Sequence, residues 1–207
     1  MTDWIAWHAE YEDPDSRLSL RVAEVRAQLG AAIDRMPDGP VRIISACAGE
    51  GRDVIPVVST HARRVDITAR LVELDRDLAQ RGRAIAPSNV EIVTGDASVT
   101  SAYDGAVPAN IALFCGIFGN VSDDDIQHTI RTLPSLLAPQ GEVLWTRYTN
   151  EPDLTPRIRA WFADAGFEEM AFVSEVGLRY GVGTHRLAPT TERDPFDAGV
   201  TMFSFLR

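Results

Sequence analysis

Apolar residues recur every three or four positions at Leu18, Val22, Val25, Leu29 and Ile33, which predicts an amphipathic helix. Asp15 or Ser16 can cap its start, and the run Met36-Pro37-Asp38-Gly39-Pro40 stops it. Upstream, Trp4, Trp7, His8 and Tyr11 share a helical spacing and predict a short aromatic helix. Beyond Pro40 the pattern changes to short apolar runs, which predict strands over residues 41–47, 69–75, 90–94, 111–115 and 142–146. Helices are predicted between them, over 53–59, over 77–86, and from Ser122 to Leu136 or Leu137. Ser122 and Asp125 resemble a capping box for the last of these. Pro139-Gln140-Gly141 reads as the turn into the fifth strand.

Alternation of short apolar strands with helices argues for a parallel sheet with helices on both faces. The tail departs from it. A helix over 156–165 ends at Gly166, and strands are predicted near 167–176 and 200–206. The long connection between those two strands is rich in Gly, Pro, Arg and acids, and connections of that length are often functional. The expectation is one domain: a helical cap over 1–39, a core over 40–150, and C-terminal strands with a substrate-side loop over 151–207.

Composition narrows the function. With 207 residues, 45% of them hydrophobic and 24% charged, the chain buries a core without disulfides or metals. Acids outnumber bases by 30 to 20, and the net charge of −10 repels nucleic acid and anionic membranes. Only Cys47 and Cys115 occur, far apart and outside any metal-type spacing, which fits small apolar packers in a reducing, cytoplasmic setting. The start of the chain has no basic-then-apolar leader and no run is long enough to span a bilayer, so no membrane association is expected.

In an open α/β sheet, ligands bind beyond the carboxyl ends of the strands. Three such ends carry candidate chemistry. After the first strand, the glycines of Cys47-Ala48-Gly49-Glu50-Gly51 allow backbone to approach a ligand, or make a plain tight turn. After the second, Asp75 can accept from both hydroxyls of a ribose, or cap the next helix. After the third, Asp96 can accept from an adenine amino group while the Ala97 N–H donates to a ring nitrogen, or the pair is a simple turn. Each signal is weak alone, and the three in order are stronger. A nicotinamide site requires Gly or Ala three residues after Gly51, where Val54 stands.

This set of motifs resembles the class I S-adenosylmethionine-dependent methyltransferases, well over 40–150 and loosely beyond. That family has a Gly-x-Gly-x-Gly loop preceded by an acid. Gly49 and Gly51 match it, whereas Cys47 replaces the first glycine and Ser45 the acid. The resemblance implies a Rossmann-like, seven-stranded, doubly wound sheet with an antiparallel last strand and an N-terminal helical lid. It implies S-adenosylmethionine as cofactor and no metal. It places Ala46, Cys47, Gly49 and Gly51 along the cofactor, Asp75 on the ribose and Asp96-Ala97 on the adenine. A backbone carbonyl at Cys115 or Gly116 would hold the methionine amino group, in a fourth-strand motif where Asn110 replaces the usual Asp. Leu137-Ala138-Pro139-Gln140-Gly141 resembles the family's turn before the fifth strand. Cys47 and Cys115 would then lie near the cofactor floor.

The expected activity is methyl transfer to a small-molecule acceptor. Gly116-Ile117-Phe118-Gly119 is not the Pro-Pro-aromatic motif of nucleobase amino methylases. Two segments can frame the acceptor. One is the N-terminal lid, where Tyr11 can reach the methionine carboxylate, Arg17 offers a charge, and Tyr11 and His8 are candidate catalytic groups. The other is the connection after Gly177, with Tyr180, His185 as a candidate base, and Arg186; Asn120 also falls on this side. The alternatives are a catalytically inactive S-adenosylmethionine- or S-adenosylhomocysteine-binding protein, or another transferase with the same nucleoside pocket.

Overall fold

A computed structural model describes residues 13, 15–174 and 179–206. Its elements run in the predicted order, with a 3-10 turn (Thr100–Tyr103) in place of an α-helix between the third and fourth strands: α1 (Arg17–Arg35), β1 (Val41–Ala46), α2 (Ile55–Thr60), β2 (Ile67–Glu73), α3 (Arg76–Ile85), β3 (Val90–Thr94), β4 (Ala109–Phe114), α4 (Asp123–Leu136), β5 (Leu137–Tyr148), α5 (Thr155–Asp164), β6 (Phe167–Ser174) and β7 (Tyr180–Leu187). The caps follow the sequence. Ser16 Oγ accepts from Ser19 N at 3.1 Å, and Ser122 Oγ accepts from Asp125 N at 3.1 Å. Only half of the expected capping box forms, because Asp125 Oδ2 accepts instead from Ser204 N at 3.3 Å. The predicted turn at Pro139-Gln140-Gly141 is an irregularity inside a longer β5, with Gln140 at φ 58° and a register shift against β4.

The seven strands lie in the order β3-β2-β1-β4-β5-β7-β6. The first five are parallel, and β7 runs antiparallel between β5 and β6. Alternate side chains enter two separate cores. Ile43, Leu71, Ile111, Leu113 and Leu144 pack under α1, α2 and α3, and Ile44, Val72, Ala112, Val143 and Trp145 pack under α4 and α5. Among the described residues, no helix is long and apolar enough to cross a membrane.

The antiparallel edge corrects the sequence reading twice. Residues expected as a substrate-side connection form β7, which lies between two strands. Residues 200–206, expected as the last strand, make only isolated bridges, Val99 with Thr201 and Val121 with Phe205. The reason is aromatic packing over glycine. A Cβ on Gly183 would lie 2.5 Å from the Trp145 indole, and one on Gly181 would lie 2.9 Å from the Phe172 ring. These glycines make room for rings above a sheet strand and so hide its apolar signature.

Gly183→Ala therefore overpacks the edge and is expected to cost about 1–3 kcal/mol. Gly30→Ala in α1, where a Cβ meets nothing within 4 Å, is expected to stabilise by about 0.5–1 kcal/mol. Urea midpoints of the two variants at unchanged slope test both signs; a neutral Gly183→Ala would contradict the packing argument.

Candidate functional site

The order of the sheet reverses between β1 and β4. β1 leads into α2 on one face and β4 into α4 on the other, so the two connections diverge above neighbouring strand ends. The loop after β1 turns sharply through left-handed backbone at Cys47 (φ 51°), Gly49 (φ 57°) and Gly51 (φ 77°). Ala48 N donates to Val72 O at 3.0 Å and Gly51 N to Ala48 O at 2.9 Å. The two glycines have different tasks. A Cβ on Gly51 would lie 2.6 Å from Ile55 Cδ1, so its small size is needed for packing. A Cβ on Gly49 would meet nothing within 4 Å, which leaves open space over the loop.

Two acids flank this loop at the end of β2. Glu73 is 9% exposed and uses both oxygens on backbone. Oε2 accepts from Gly49 N at 2.7 Å and Oε1 from Asp75 N at 2.8 Å. Asp75 is exposed and caps α3, its Oδ1 accepting from Asp77 N at 2.8 Å and Leu78 N at 3.0 Å. Its Oδ2 has no partner among the described residues, so the capping and ligand readings of Asp75 are compatible. Asp96, after β3, is also exposed and accepts from Ser98 N at 2.8 Å through Oδ1 alone. The next residue, Ala97, is buried, and its carbonyl is taken by Tyr103 Oη at 2.8 Å.

At the end of β4, Gly116 adopts φ 76° and its N–H donates to Thr146 Oγ1 at 2.8 Å. The exposed Asn120 lies at this edge but turns its Nδ2 to the Gly116 carbonyl at 2.8 Å. That leaves the Cys115 carbonyl as the one not engaged by Asn120. Both thiols are free. Cys47 packs toward the α4–α5 layer and Cys115 toward the α1–α3 layer. Burial, with Glu73 and Asp96 nearby, pushes the Cys47 thiol up to about 12. Burial, with Asp53 nearby, also pushes Cys115 well up. Both shifts disfavour the thiolate, the form of cysteine that acts as a nucleophile.

Three contributors escaped the sequence. Glu73 sits in an apolar strand, where an acid signals a buried partner. Asp53 has its pKa raised by burial, opposed by the charges of Arg21 and Arg26. Arg21, 8% exposed on α1, acts electrostatically on both Asp53 and Cys115. Arg17, the charge expected from this helix, is exposed.

Trp4, Trp7, His8 and Tyr11 lie outside the described residues, as do Val176 and Gly177. Three substrate-side expectations change because β7 is a strand. Tyr180 sits at the carboxyl edge, opposite Tyr148, but is buried against the α1 layer. Arg186 is at the other edge, where its Nη2 and Arg35 Nη2 each lie 2.7 Å from the fully buried Glu142 carboxylate. His185 is 1% exposed, level with Val143 and Ala112, and stacks on Phe162 at 4.4 Å. It is sealed inside the core, below the carboxyl ends of the strands.

No protein-family model and no curated protein matches the sequence. Solved structures do match. A magnesium protoporphyrin IX methyltransferase from Synechocystis PCC 6803 with bound SAM superposes with a TM-score of 0.68 at 12% identity, covering 90% of this chain and 92% of that one. The chain has the class I methyltransferase fold. A Burkholderia thailandensis 1,6-didemethyltoxoflavin-N1-methyltransferase, with bound 1,6-didemethyltoxoflavin and S-adenosylhomocysteine, gives 0.65 at 18% identity over 90% and 86%. An S-adenosylmethionine dependent methyltransferase from Mesorhizobium loti gives 0.56 at 12% identity over 77% and 97%.

The buried imidazole makes a pH prediction. The Trp145 indole N–H donates to His185 Nδ1 at 3.1 Å, so the neutral ring carries its proton on Nε2, 3.5 Å from Glu169 Oε2. Burial lowers the His185 pKa from 6.5 to about 4; Glu169 opposes this shift and Arg159 adds to it. The folded state thus binds this proton less readily than the unfolded chain does. The stability it carries is full above pH 6.5 and falls as pH drops toward 4, by up to about 3 kcal/mol. Chemical denaturation across that range should show a shallower loss in His185→Phe than in wild type; parallel curves would refute the assignment.

Proposed function

We propose that this protein is a methyltransferase that uses S-adenosylmethionine and acts on a small-molecule acceptor. The observation that carries the reading is the joint geometry of the switch point. An open left-handed glycine turn after β1 stands beside two exposed carboxylates, Asp75 and Asp96, each with an oxygen to spare. These donors and acceptors suit a nucleoside with a charged tail. Asp75 Oδ2 would accept from the ribose hydroxyls. Asp96 would accept from the adenine amino group while the Ala97 N–H donates to the ring. Gly49 and Gly51, with Ala46 and Cys47 below them, would form the floor, and the Cys115 carbonyl would accept from the ammonium of the tail. Arg21 would supply positive charge at that end.

When bound, the cofactor would supply a sulfonium methyl group for in-line transfer to the acceptor nucleophile, with the neutral thioether of S-adenosylhomocysteine as the leaving group. Charge falls along that path, so the chain's main task is alignment and exclusion of water. A base is required only for a nucleophile that holds its proton tightly, and the sealed His185 does not provide one. His8 and Tyr11 remain the candidates for that role, and Asn120 for contact with the acceptor. The 1,6-didemethyltoxoflavin in the Burkholderia structure and the net charge of −10 both favour a small acceptor over nucleic acid. Two free thiols suit a cytoplasmic setting.

Calorimetric titration tests the cofactor. Wild type should bind S-adenosylmethionine and S-adenosylhomocysteine at micromolar concentration and NAD not at all. Asp75→Asn keeps a good helix cap but weakens the ribose acceptor, and is expected to lower affinity about tenfold; Asp75→Ala should lose at least as much. No binding of either sulfur nucleoside would overturn the reading. Binding without turnover on any acceptor would convert it to that of a non-catalytic binding protein.

A further inference from the structure

We infer that Glu73 is a positioning residue that locks the glycine loop and the Asp75 loop together, in place of the acid missing from the end of β1. The inference rests on the cofactor reading above for its functional half and on geometry alone for its structural half. The carboxylate is nearly buried between the ends of β1 and β2. Each oxygen accepts one backbone N–H, from Gly49 at 2.7 Å and from Asp75 at 2.8 Å. Hydrogen bonds to an ionised acceptor are roughly twice as strong as neutral ones. One side chain thus ties the glycine loop directly to the Asp75 loop, beside the backbone bond from Ala48 N to Val72 O.

The loop after β1 needs such an anchor. It turns at Cys47, a residue with a Cβ held in left-handed backbone, which costs about 1–2 kcal/mol. Ser45, where the resemblance expects an acid, is buried, and its hydroxyl makes no hydrogen bond to the loop. Glu73 reaches the same loop from the neighbouring strand instead. Glu73 is nearly buried and each of its oxygens is turned to a backbone N–H, so the ribose task falls to the exposed Asp75 and its spare oxygen. Two acids separated by one residue thereby divide the work. Glu73 sets where Gly49 and Asp75 stand, and Asp75 touches the ligand.

Glu73→Gln tests this, because an amide offers one acceptor oxygen and so breaks one of the two contacts. In wild type without ligand, the Gly49 and Asp75 amide protons should resonate far downfield in an NMR spectrum. In Glu73→Gln at least one should move upfield. By calorimetry, the variant should bind S-adenosylhomocysteine about ten- to a hundredfold more weakly, the loss for a hydrogen bond to a charged group. It should lose less affinity for 5′-methylthioadenosine, which lacks the amino-acid tail that the cofactor reading would place over the glycine loop. Glu73→Asp keeps the charge but is one methylene shorter, and serves if the glutamine variant does not fold; it should release one amide in the same way. Unmoved amides overturn the clasp. Moved amides with unchanged S-adenosylhomocysteine affinity overturn its functional role. If wild type binds no sulfur nucleoside, the cofactor reading fails, and the amide shifts decide the clasp by themselves.

Discussion

The constraint from which the rest follows is the reversal of strand order between β1 and β4. Both strands are buried on both faces, so their backbone polar groups must pair with neighbouring strands. Their connections leave to opposite layers, and the carboxyl edge between them cannot be filled by either helix. In open α/β sheets this divergence marks where ligands bind, so the place of the candidate site is a consequence of topology. What this sequence adds is the chemistry around it, namely glycines that keep the floor low and carboxylates on the adjoining strand ends.

The rigid side of the molecule is its antiparallel edge. Trp145 stacks with Phe162 and Phe172, both at 5.9 Å, and β7 brings glycines under two of those rings. At the opposite edge of β5, Glu142 is fully buried between Arg35 and Arg186, tying the last turn of α1 to β5 and β7. A buried carboxylate is costly when unpaired, and here two guanidinium groups neutralise it. α1 is therefore fixed at its C-terminal end by ions and along its length by Val25, Leu29 and Ile33. Its N-terminal half holds the buried Arg21, whose charge acts on Asp53 and Cys115.

Much of this was legible in the sequence, for a definite reason. Parallel strands covered on both faces must be continuously apolar, so β1 to β4 stand out as short apolar runs between caps. A topological rule then points to the residues after each run, which is how Gly49, Asp75 and Asp96 were found. The same logic fails where a strand is not apolar. Tyr180-Gly181-Val182-Gly183-Thr184-His185-Arg186 reads as a loop because its packing is supplied by rings from other strands. Val200-Thr201-Met202-Phe203 alternates like a strand, yet Met202 and Phe203 are buried as an extended strap beside α4, where Thr129 Oγ1 donates to Met202 O at 2.9 Å. Glu73 and Arg21 were missed because their partners are distant in sequence.

The departures in the first loop bear on whether the site is degenerate. A cysteine in place of glycine is expected to push the turn out of left-handed backbone, and loss of the acid is expected to free the loop. Neither occurs. Cys47 stays at φ 51° while Ala48 N bonds to Val72 O and Gly49 N to Glu73, so β2 holds the turn from outside. The cysteine side chain is directed into the α4–α5 core, which repays part of its backbone strain through burial. The replaced acid and the replaced glycine are thus linked. A loop pinned from the neighbouring strand tolerates a side chain at its first turn, and a loop held only by its own β1 residues would favour glycine there.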